Sequence, residues 1–303
     1  MSKVNLSVNL AGVNLKNPLV TASGTFNPQA HSQFYDLSLL GGVTLKGVAD
    51  VPWPGNPTPR IAETYGGMLN SVGLHNPGVE AMKKEDLPFM EQFDTAVIVN
   101  TEGHSVEEYC RVSEALAEEK RVDLVELNIS CPNVKEGGVT FGTDPKMVEK
   151  VVSAVKKCTK QPLIVKLSPN VTDITEIAKA AEAAGADALS LINTLFGMRI
   201  DIYRRKPVLA QKMGGFSGPA VKPVAVRMVY QVHKAVRIPI LGMGGVMTAE
   251  DVVEFIMAGA AAVATGTANL VDPAAPVKIL KRLPQVLERL GVKDINEIRG
   301  IIE

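Results

Sequence analysis

A cysteine at the tip of an apolar run is the first candidate for chemistry in this chain. Residues 125–129 are mostly apolar, a pattern typical of a buried parallel strand. Cys131 follows them after Ser130 and lies between the amides of Asn128 and Asn133. Gly137 and Gly138 come soon after, so the loop over residues 131–142 is a candidate lid. We interpret Cys131 as a general base acting on a small, planar, polar substrate. An ordinary thiol has a pKa of about 8.5, so the base needs a polar neighbour that favours the thiolate.

Two lysines occupy similar positions at the ends of other apolar runs. Lys46 follows residues 42–45, and Lys166 follows residues 163–165. An unpaired ammonium is unfavourable there, so each lysine is expected to have an anionic partner in the protein or in a ligand. Two alternatives stay open: either side chain can extend to the surface, and Lys166 can act as a Schiff-base nucleophile.

Three asparagines, Asn70, Asn128 and Asn193, are candidates for ligand recognition. An asparagine amide offers both a donor and an acceptor and does not titrate near neutral pH. The three together suggest a ligand with alternating N–H and C=O groups, such as a pyrimidine-like ring or an isoalloxazine edge. Each asparagine taken singly is also a common turn former.

The elements that must position these residues alternate strictly along the chain. Eight apolar runs are interpreted as strands and alternate with eight predicted helices, which indicates a (β/α)₈ TIM barrel forming one domain over residues 1–303. A doubly wound open sheet is the competing architecture, but no GxGxxG motif opens the first unit. Residues 3–17 are predicted to form a hairpin, and residues 48–77 and 195–220 two long loops. The predicted strands are 19–23, 42–46, 95–100, 124–130, 163–167, 188–193, 238–242 and 261–266, and the helices lie near 28–40, 78–93, 105–119, 173–184, 221–235, 248–258 and 274–290, with one more starting at Asp144-Pro145.

The carboxyl ends of barrel strands meet at one mouth, where active sites of this architecture lie. Glycines follow the seventh and eighth strands, at Gly244-Gly245 and Gly266-Thr267, where barrels commonly bind a phosphate through backbone N–H groups. A tight turn is the alternative explanation for the first pair. The polar or glycine strand ends are Ser23, Lys46, Asn100, Asn128, Lys166, Asn193, Gly244-Gly245 and Gly266-Thr267.

Composition excludes several classes of function. The chain has 303 residues with 32 basic and 32 acidic side chains, and this balance predicts neither nucleic-acid nor anionic-membrane binding. No apolar run approaches the roughly 18 residues of a membrane span, and no signal peptide is recognisable. Three cysteines without CxxC spacing and four scattered histidines predict no metal site, and cytoplasmic location is expected. Cys110 and Cys158 lie on predicted helices and are interpreted as structural.

These motifs, in this order, resemble class 1 dihydroorotate dehydrogenases over essentially the whole chain. Cysteine at position 131, where class 2 enzymes carry serine, indicates class 1, and Lys135-Glu136-Gly137-Gly138 resembles the catalytic subunit of the B type. The motifs that carry the resemblance are Ala22-Ser23-Gly24-Thr25, Thr44-Leu45-Lys46-Gly47, Asn70-Ser71-Val72-Gly73-Leu74-His75-Asn76-Pro77-Gly78, Asn128-Ile129-Ser130-Cys131-Pro132-Asn133, Val165-Lys166-Leu167-Ser168-Pro169, Ile192-Asn193-Thr194, Gly242-Met243-Gly244-Gly245 and Gly266-Thr267.

The resemblance implies oxidation of dihydroorotate to orotate, a step of pyrimidine synthesis, on bound FMN. A hydride would leave C6 of the substrate for flavin N5 while Cys131 takes the proton from C5. Lys166 would stabilise the negative charge of reduced flavin, and Lys46 would contact flavin and substrate. The implied flavin residues are Ser23, Lys46, Gly47, Asn100, Asn128, Lys166, Ile192, Gly218, Gly244, Gly245, Gly266 and Thr267, and the implied substrate residues are Lys46, Asn70, Ser71, Val72, Gly73, Leu74, Asn128, Asn193 and Thr194.

The resemblance also implies a partner. B-type enzymes pair a homodimeric core of this subunit with an electron-transfer subunit that carries FAD and a 2Fe–2S cluster and reduces NAD⁺, in a heterotetramer. Three separated cysteines cannot hold such a cluster. The alternatives are a fumarate-dependent A-type enzyme, a flavoprotein for another dihydropyrimidine such as dihydrouracil, a lyase using Lys166, and a non-catalytic barrel that binds a phosphorylated ligand.

Overall fold

Eight parallel strands close a barrel in the computed structural model, which describes residues 4–129, 135–136 and 139–303. Each strand pairs with the next one in the chain, and the last pairs with the first. The prediction of a (β/α)₈ barrel is therefore confirmed. The barrel strands are β1 (Leu19–Thr21), β2 (Gly42–Val48), β3 (Ala96–Thr101), β4 (Leu124–Asn128), β5 (Leu163–Lys166), β6 (Ala188–Leu191), β7 (Ile240–Met243) and β8 (Ala262–Thr265).

Barrel strands are apolar because both of their faces are covered. The side chains of β4, β5, β6, β7 and β8 are all buried, some against the surrounding helices and some inside the barrel. Most buried polar side chains in proteins have a hydrogen-bond partner. Each polar group inside the barrel therefore needs either a partner in the protein or a reason for lacking one.

Several helices begin directly after a residue whose side chain caps them. Asp144 caps the helix that starts with Pro145, and Thr248 forms a capping box with Asp251. Ser105 caps its helix through the backbone amide of Glu108, but the Glu108 carboxylate binds the backbone amide of His104, so only half of a capping box is formed there. The helices are Pro28–His31, Val79–Lys84, Asp86–Met90, Val106–Leu116, Pro145–Cys158, Ile174–Ala183, Lys222–Ala235, Ala249–Met257, Thr267–Val271 and Ala275–Arg289, with 3₁₀ turns at Leu37–Leu39, Phe141–Thr143, Pro219–Val221 and Ile295–Ile298.

Two predicted helices differ from the expectation. The segment near 28–40 contains only the short helix Pro28–His31 and the 3₁₀ turn Leu37–Leu39, because Asp36 caps a new turn instead of continuing the helix. The segment near 78–93 divides at Glu85 into Val79–Lys84 and Asp86–Met90. The backbone changes direction at Asp36, which has extended capping geometry, and at Glu85, whose φ of −115° departs from that of a regular helix.

Each of the two predicted long loops contributes two strands to one sheet, so the prediction that these segments are loops throughout was wrong. Strands Ile61–Thr64, Gly67–Asn70, Met213–Ser217 and Leu195–Met198 form a four-stranded antiparallel sheet in the spatial order 61–64, 67–70, 213–217, 195–198. The first two strands follow β2 and the other two follow β6. This insertion sheet therefore joins opposite parts of the barrel's carboxyl end, and its partners lie too far apart in sequence for a local pattern to predict the pairing.

Smaller strand pairs complete the fold. Val8–Leu10 and Val13–Leu15 form the predicted N-terminal hairpin, and the buried side chains of Leu10 and Leu15 belong to the core. Two further two-stranded pairs join Lys135–Glu136 to Val139–Thr140 and Ile200–Asp201 to Lys206–Pro207. Within the described residues, no helix combines the length and the apolar character needed to cross a membrane.

Candidate active site

Lys166 is paired with a carboxylate inside the barrel. The Lys166 Nζ lies 3.4 Å from Oε2 of Glu126, and the two side chains are only 6% and 1% exposed. Lys166 ends β5 and Glu126 lies on the neighbouring β4, where Lys166 is in register with Asn128, two residues further along. The expectation that Lys166 has an anionic partner is confirmed, and the partner belongs to the protein.

Glu126 connects four strands of the barrel. Its Oε2 also accepts a 2.6 Å hydrogen bond from Asn100 Nδ2, and its Oε1 accepts a 2.7 Å bond from Ser190 Oγ. Asn100 belongs to β3 and Ser190 to β6. Sequence reasoning included Glu126 in an apolar run and missed it. The available signal was its position two residues before Asn128, which places both side chains on the same face of the strand.

Lys46 has a separate carboxylate partner. Its Nζ lies 3.4 Å from Oε1 of Glu102, whose side chain is 2% exposed, and Asn76 Nδ2 donates to Glu102 Oε2 at 3.5 Å. Burial raises the pKa of Glu102, and the opposing charges of Lys46 and Lys166 do not cancel this effect. Glu102 directly follows β3 and was also missed, although its position at a strand end resembles those of the residues that were selected.

Asn100 presents an unfilled acceptor at the same place. Its Oδ1 is buried and has no hydrogen-bond partner among the described residues. A Cβ at Gly47 would lie 2.4 Å from this oxygen and 2.3 Å from Oε1 of Glu102. Only glycine at position 47 leaves room beside the two side chains. Gly47, Asn100 and Lys46, all predicted flavin residues, are therefore brought together.

The carboxyl end of β4 is held by Tyr109. Its hydroxyl donates a 2.7 Å bond to the carbonyl of Asn128, and its ring meets Phe141 edge to face. This fixes the strand end from which the segment with the predicted base departs. Cys131 lies outside the described residues, as does much of the candidate lid, so its role stays a prediction.

Glycines and Ile192 form a cradle at the ends of β6 and β7. Gly218, Gly244 and Gly245 have φ values of 109°, 125° and 81°, a backbone region that favours glycine. A Cβ at Gly245 would lie 2.8 Å from the Gly218 carbonyl, and one at Gly244 would lie 3.1 Å from Cγ1 of Ile192. These four predicted flavin residues are therefore neighbours.

The end of β8 adds a hydroxyl and a backbone approach beside β1. Thr267 Oγ1 donates to Ser217 Oγ at 2.9 Å, which ties the end of β8 to the insertion sheet beside Gly218. A Cβ at Gly266 would lie 3.8 Å from Cβ of Ala22, the residue before half-buried Ser23. Gly266, Thr267 and Ser23 therefore lie around the same side of the mouth.

The segment from Asn70 to Leu74 is held by Asn56, whose amide donates to the Ser71 carbonyl at 3.0 Å. The Asn56 backbone N–H also bonds the Val72 carbonyl at 3.0 Å, and a Cβ at Gly73 would lie 2.5 Å from Asn56 Cγ. Five predicted substrate residues thus share one constrained turn.

Asn76 attaches this turn to the end of β2. It donates to the Leu74 carbonyl at 2.7 Å and accepts from the Ala49 amide at 3.1 Å. Because Ala49 directly follows β2, the turn lies close to the strand that carries Lys46. This places the predicted substrate segment beside a predicted flavin and substrate residue.

Asn193 and Thr194 reach the same region from the opposite side. The backbone N–H of Asn193 donates to the carbonyl of Leu167 at 3.1 Å, and Leu167 directly follows Lys166. A Cβ at Gly215 would lie 2.0 Å from Thr194 Oγ1, and Gly215 pairs with Asn70 in the insertion sheet. The insertion sheet therefore joins Asn70 and Thr194, which are 124 positions apart in the printed sequence. All predicted substrate residues within the described ranges lie around one mouth.

Comparison with known proteins identifies the family. The family model "Dihydroorotate dehydrogenase" matches residues 5–287. The chain is 62% identical over 301 residues to the dihydroorotate dehydrogenase B (NAD(+)) catalytic subunit of Alkaliphilus metalliredigens, covering 99% of both chains. It is 55% identical over 302 residues to the protein of that name from Oceanobacillus iheyensis, covering 98% of this chain and 99% of the relative.

A solved structure has the same fold. DHODH of Eimeria tenella, in a complex with ferulenol, superposes with a TM-score of 0.80 at 22% identity, covering 98% of this chain and 88% of the other. At this low identity the structural match supports the fold alone. The family model and the high-identity relatives establish the family. This chain belongs to the dihydroorotate dehydrogenase family of oxidoreductases.

Proposed function

We propose that this chain is the FMN-binding catalytic subunit of a B-type dihydroorotate dehydrogenase, oxidising dihydroorotate to orotate in pyrimidine biosynthesis. The observation that carries the proposal is the buried, unfilled acceptor of Asn100 between two lysine–carboxylate pairs at the barrel mouth. A buried amide oxygen without a partner is unfavourable, so a ligand that donates a hydrogen bond there is expected. Each ammonium group is partly offset by its carboxylate, and the two together still give a ligand that gains negative charge two oriented cationic donors.

The residues fit FMN. The glycine cradle at Gly218, Gly244 and Gly245 offers bare backbone at the position where barrels commonly bind phosphate, and Gly266 and Thr267 lie at the next strand end. Ser23, Gly47, Asn128 and Ile192 would line the ring system. When bound, FMN supplies the acceptor for the hydride that the substrate loses. The protein then supplies position and charge.

The two lysines would act electrostatically. Lys166 would stabilise negative charge at the pyrimidine edge of the flavin, and Lys46 would contact both flavin and substrate. The turn from Asn70 to Leu74, with Asn128, Asn193 and Thr194, would orient the substrate ring and its carboxylate. Cys131 would hold the proton removed from the substrate carbon.

A Schiff-base lyase using Lys166 is less well supported. A lysine nucleophile must present a neutral amine to a carbonyl carbon. Lys166 instead lies 3.4 Å from the carboxylate of Glu126 and is buried. That environment suits a fixed positive charge rather than a nucleophile.

The partner assignment follows the relatives' printed name, "catalytic subunit" of an NAD(+) enzyme. We expect an electron-transfer subunit that carries FAD and a 2Fe–2S cluster, bound to a homodimeric core in the cytoplasm. Purification of the native complex tests this part. A co-purifying second chain with an iron–sulfur absorbance supports the B type, whereas a lone homodimer that turns over with fumarate supports the A type.

Flavin reconstitution tests the central proposal. The purified chain should be yellow or become yellow with added FMN, and dihydroorotate should bleach it far faster than dihydrouracil does. A colourless chain that cannot be reconstituted contradicts the proposal. Preferential reduction by dihydrouracil would reassign the substrate while leaving the flavin role intact.

A further inference from the structure

Glu126 is a fully buried carboxylate that three other strands contact. It receives bonds from Asn100 on β3, Lys166 on β5 and Ser190 on β6, at 2.6, 3.4 and 2.7 Å. A buried charge is tolerated in a protein only when partners of this kind surround it. The arrangement therefore fixes the side chains of its partners as firmly as they fix Glu126.

The carboxylate determines which way the Asn100 amide faces. An ionised carboxylate only accepts hydrogen bonds, so the Nδ2 of Asn100 must face Glu126. The Oδ1 then faces the other way, into the space that Gly47 leaves open, and it has no partner among the described residues. Without Glu126 the amide could rotate and present its donor instead. Glu126 thereby selects a ligand edge that donates to Asn100.

The carboxylate also offsets the charge of Lys166. The pair is formally neutral, so a ligand beside Lys166 experiences an oriented ammonium whose field is partly cancelled by a carboxylate 3.4 Å away. Inside the barrel this field is weakly screened. Removal of the carboxylate charge leaves a net positive group beside the ligand.

We propose that Glu126 is a positioning residue for the flavin: it orients Lys166 and Asn100 toward the pyrimidine edge and limits how strongly the site favours the anionic, reduced cofactor. The inference rests on the proposed function, because it takes FMN to be the ligand. It assigns to Glu126 a role that a merely space-filling core residue would not have.

The test separates charge from position. E126Q removes the charge with little change in shape, and E126D keeps the charge but withdraws the carboxylate from its partners. The FMN dissociation constant and the two-electron midpoint potential of bound FMN are measured for wild type and both variants. We expect E126Q to favour the reduced flavin at least tenfold, a rise of about 30 mV in midpoint potential. We expect E126D to weaken FMN binding at least tenfold while the redox equilibrium stays within threefold of wild type.

Ser190→Ala is the matched control, since it removes one hydrogen bond to Glu126 without altering any charge. Its midpoint potential should match that of the wild type. An E126Q potential equal to the wild-type value, or an equal rise in E126D, overturns the charge role. Wild-type FMN affinity in E126D overturns the orienting role, and this variant still decides that point if E126Q does not fold. Wild-type protein that binds no FMN overturns the proposed function itself.

Discussion

The two lysine–carboxylate pairs at the barrel mouth should respond differently to the same substitution. In each pair the Nζ–O distance is 3.4 Å, and both carboxylates are almost fully buried. The lysines differ, since the Lys166 side chain is 6% exposed and that of Lys46 is 32% exposed. Glutamate-to-glutamine substitution removes one charge from each pair at nearly constant shape. E102Q is therefore a matched control for E126Q.

The expected magnitudes follow from the exposure of the remaining ammonium. At 3.4 Å, two unit charges attract by about 5 kcal/mol at an effective dielectric constant of about 20, and desolvation opposes part of this. Breaking a buried pair typically costs about 3–5 kcal/mol because the other charge stays buried. E126Q should lower the free energy of unfolding by at least about 3 kcal/mol. E102Q should change it by less than about 1 kcal/mol, because Lys46 still reaches water and burial already disfavours the charge on Glu102.

Thermal unfolding of the flavin-free proteins at pH 7, followed by circular dichroism, measures this difference. Flavin is omitted because a bound ligand adds its own stabilisation. A change of 1 kcal/mol corresponds to about 2–4 °C, so E126Q should lower Tm by roughly 6–12 °C. In the double variant of E126Q with K166M, no unpaired ammonium remains, so part of the loss should be recovered. Equal losses in E126Q and E102Q, or a larger loss in E102Q, would refute the reasoning.

Four further predictions concern single positions. C131A should keep the yellow cofactor and lose nearly all turnover, and C131S should retain weak activity that rises at high pH; wild-type turnover in C131A would exclude Cys131 as the base. G245A should lower Tm, because a non-glycine residue at a φ of 81° costs about 1–2 kcal/mol, and weaken FMN binding in a fluorescence titration; unchanged FMN affinity would argue against the cradle. Burial raises the pKa of Glu102 above 4.5, so the stability that this group contributes is complete below that value and is lost as pH rises. The unfolding free energy of E102Q relative to wild type should therefore increase between about pH 4 and pH 8, and a decrease would contradict the shift. Burial and the neighbouring Cys110 raise the pKa of Cys158 to about 12, so iodoacetamide at pH 8 should leave Cys158 largely unlabelled by mass spectrometry, and rapid labelling would show an ordinary thiol.

The barrel could be predicted from local sequence because its signals are local. Each strand is a short apolar run, since both faces of a parallel barrel strand are buried, and all eight predicted strands are present with ends shifted by at most two residues. Helix starts at Asp144 and Thr248 were readable from the capping residues themselves. The predicted helices near residues 28–40 and 78–93 were too long. In each segment the helix-like sequence pattern continues through a position at which the backbone turns.

The insertion sheet could not be predicted in the same way. Gly67–Asn70 pairs with Met213–Ser217, and four of the eight barrel strands, β3 to β6, lie between them in the sequence. Both strands contain glycine, which weakens the alternation of apolar and polar residues that marks a half-buried strand. Their pairing depends on the closure of the barrel, which brings the segments after β2 and β6 together.

The same distinction between local and long-range information applies to the candidate site. The residue types at the strand ends could be identified from the amino-acid sequence, and with them the chemistry that such groups can perform. These residues are Lys46, Lys166, the asparagines and the glycine pairs. The partners of the two lysines could not be identified, because Glu102 and Glu126 lie in or beside apolar runs and meet their lysines only through the register between neighbouring strands. A shift of one residue in the pairing register of β4 would turn the Glu126 side chain to the other face of the strand. Only the closed barrel therefore decided which charges are paired, which amide oxygen is left to accept a ligand, and which carboxylate holds them in place.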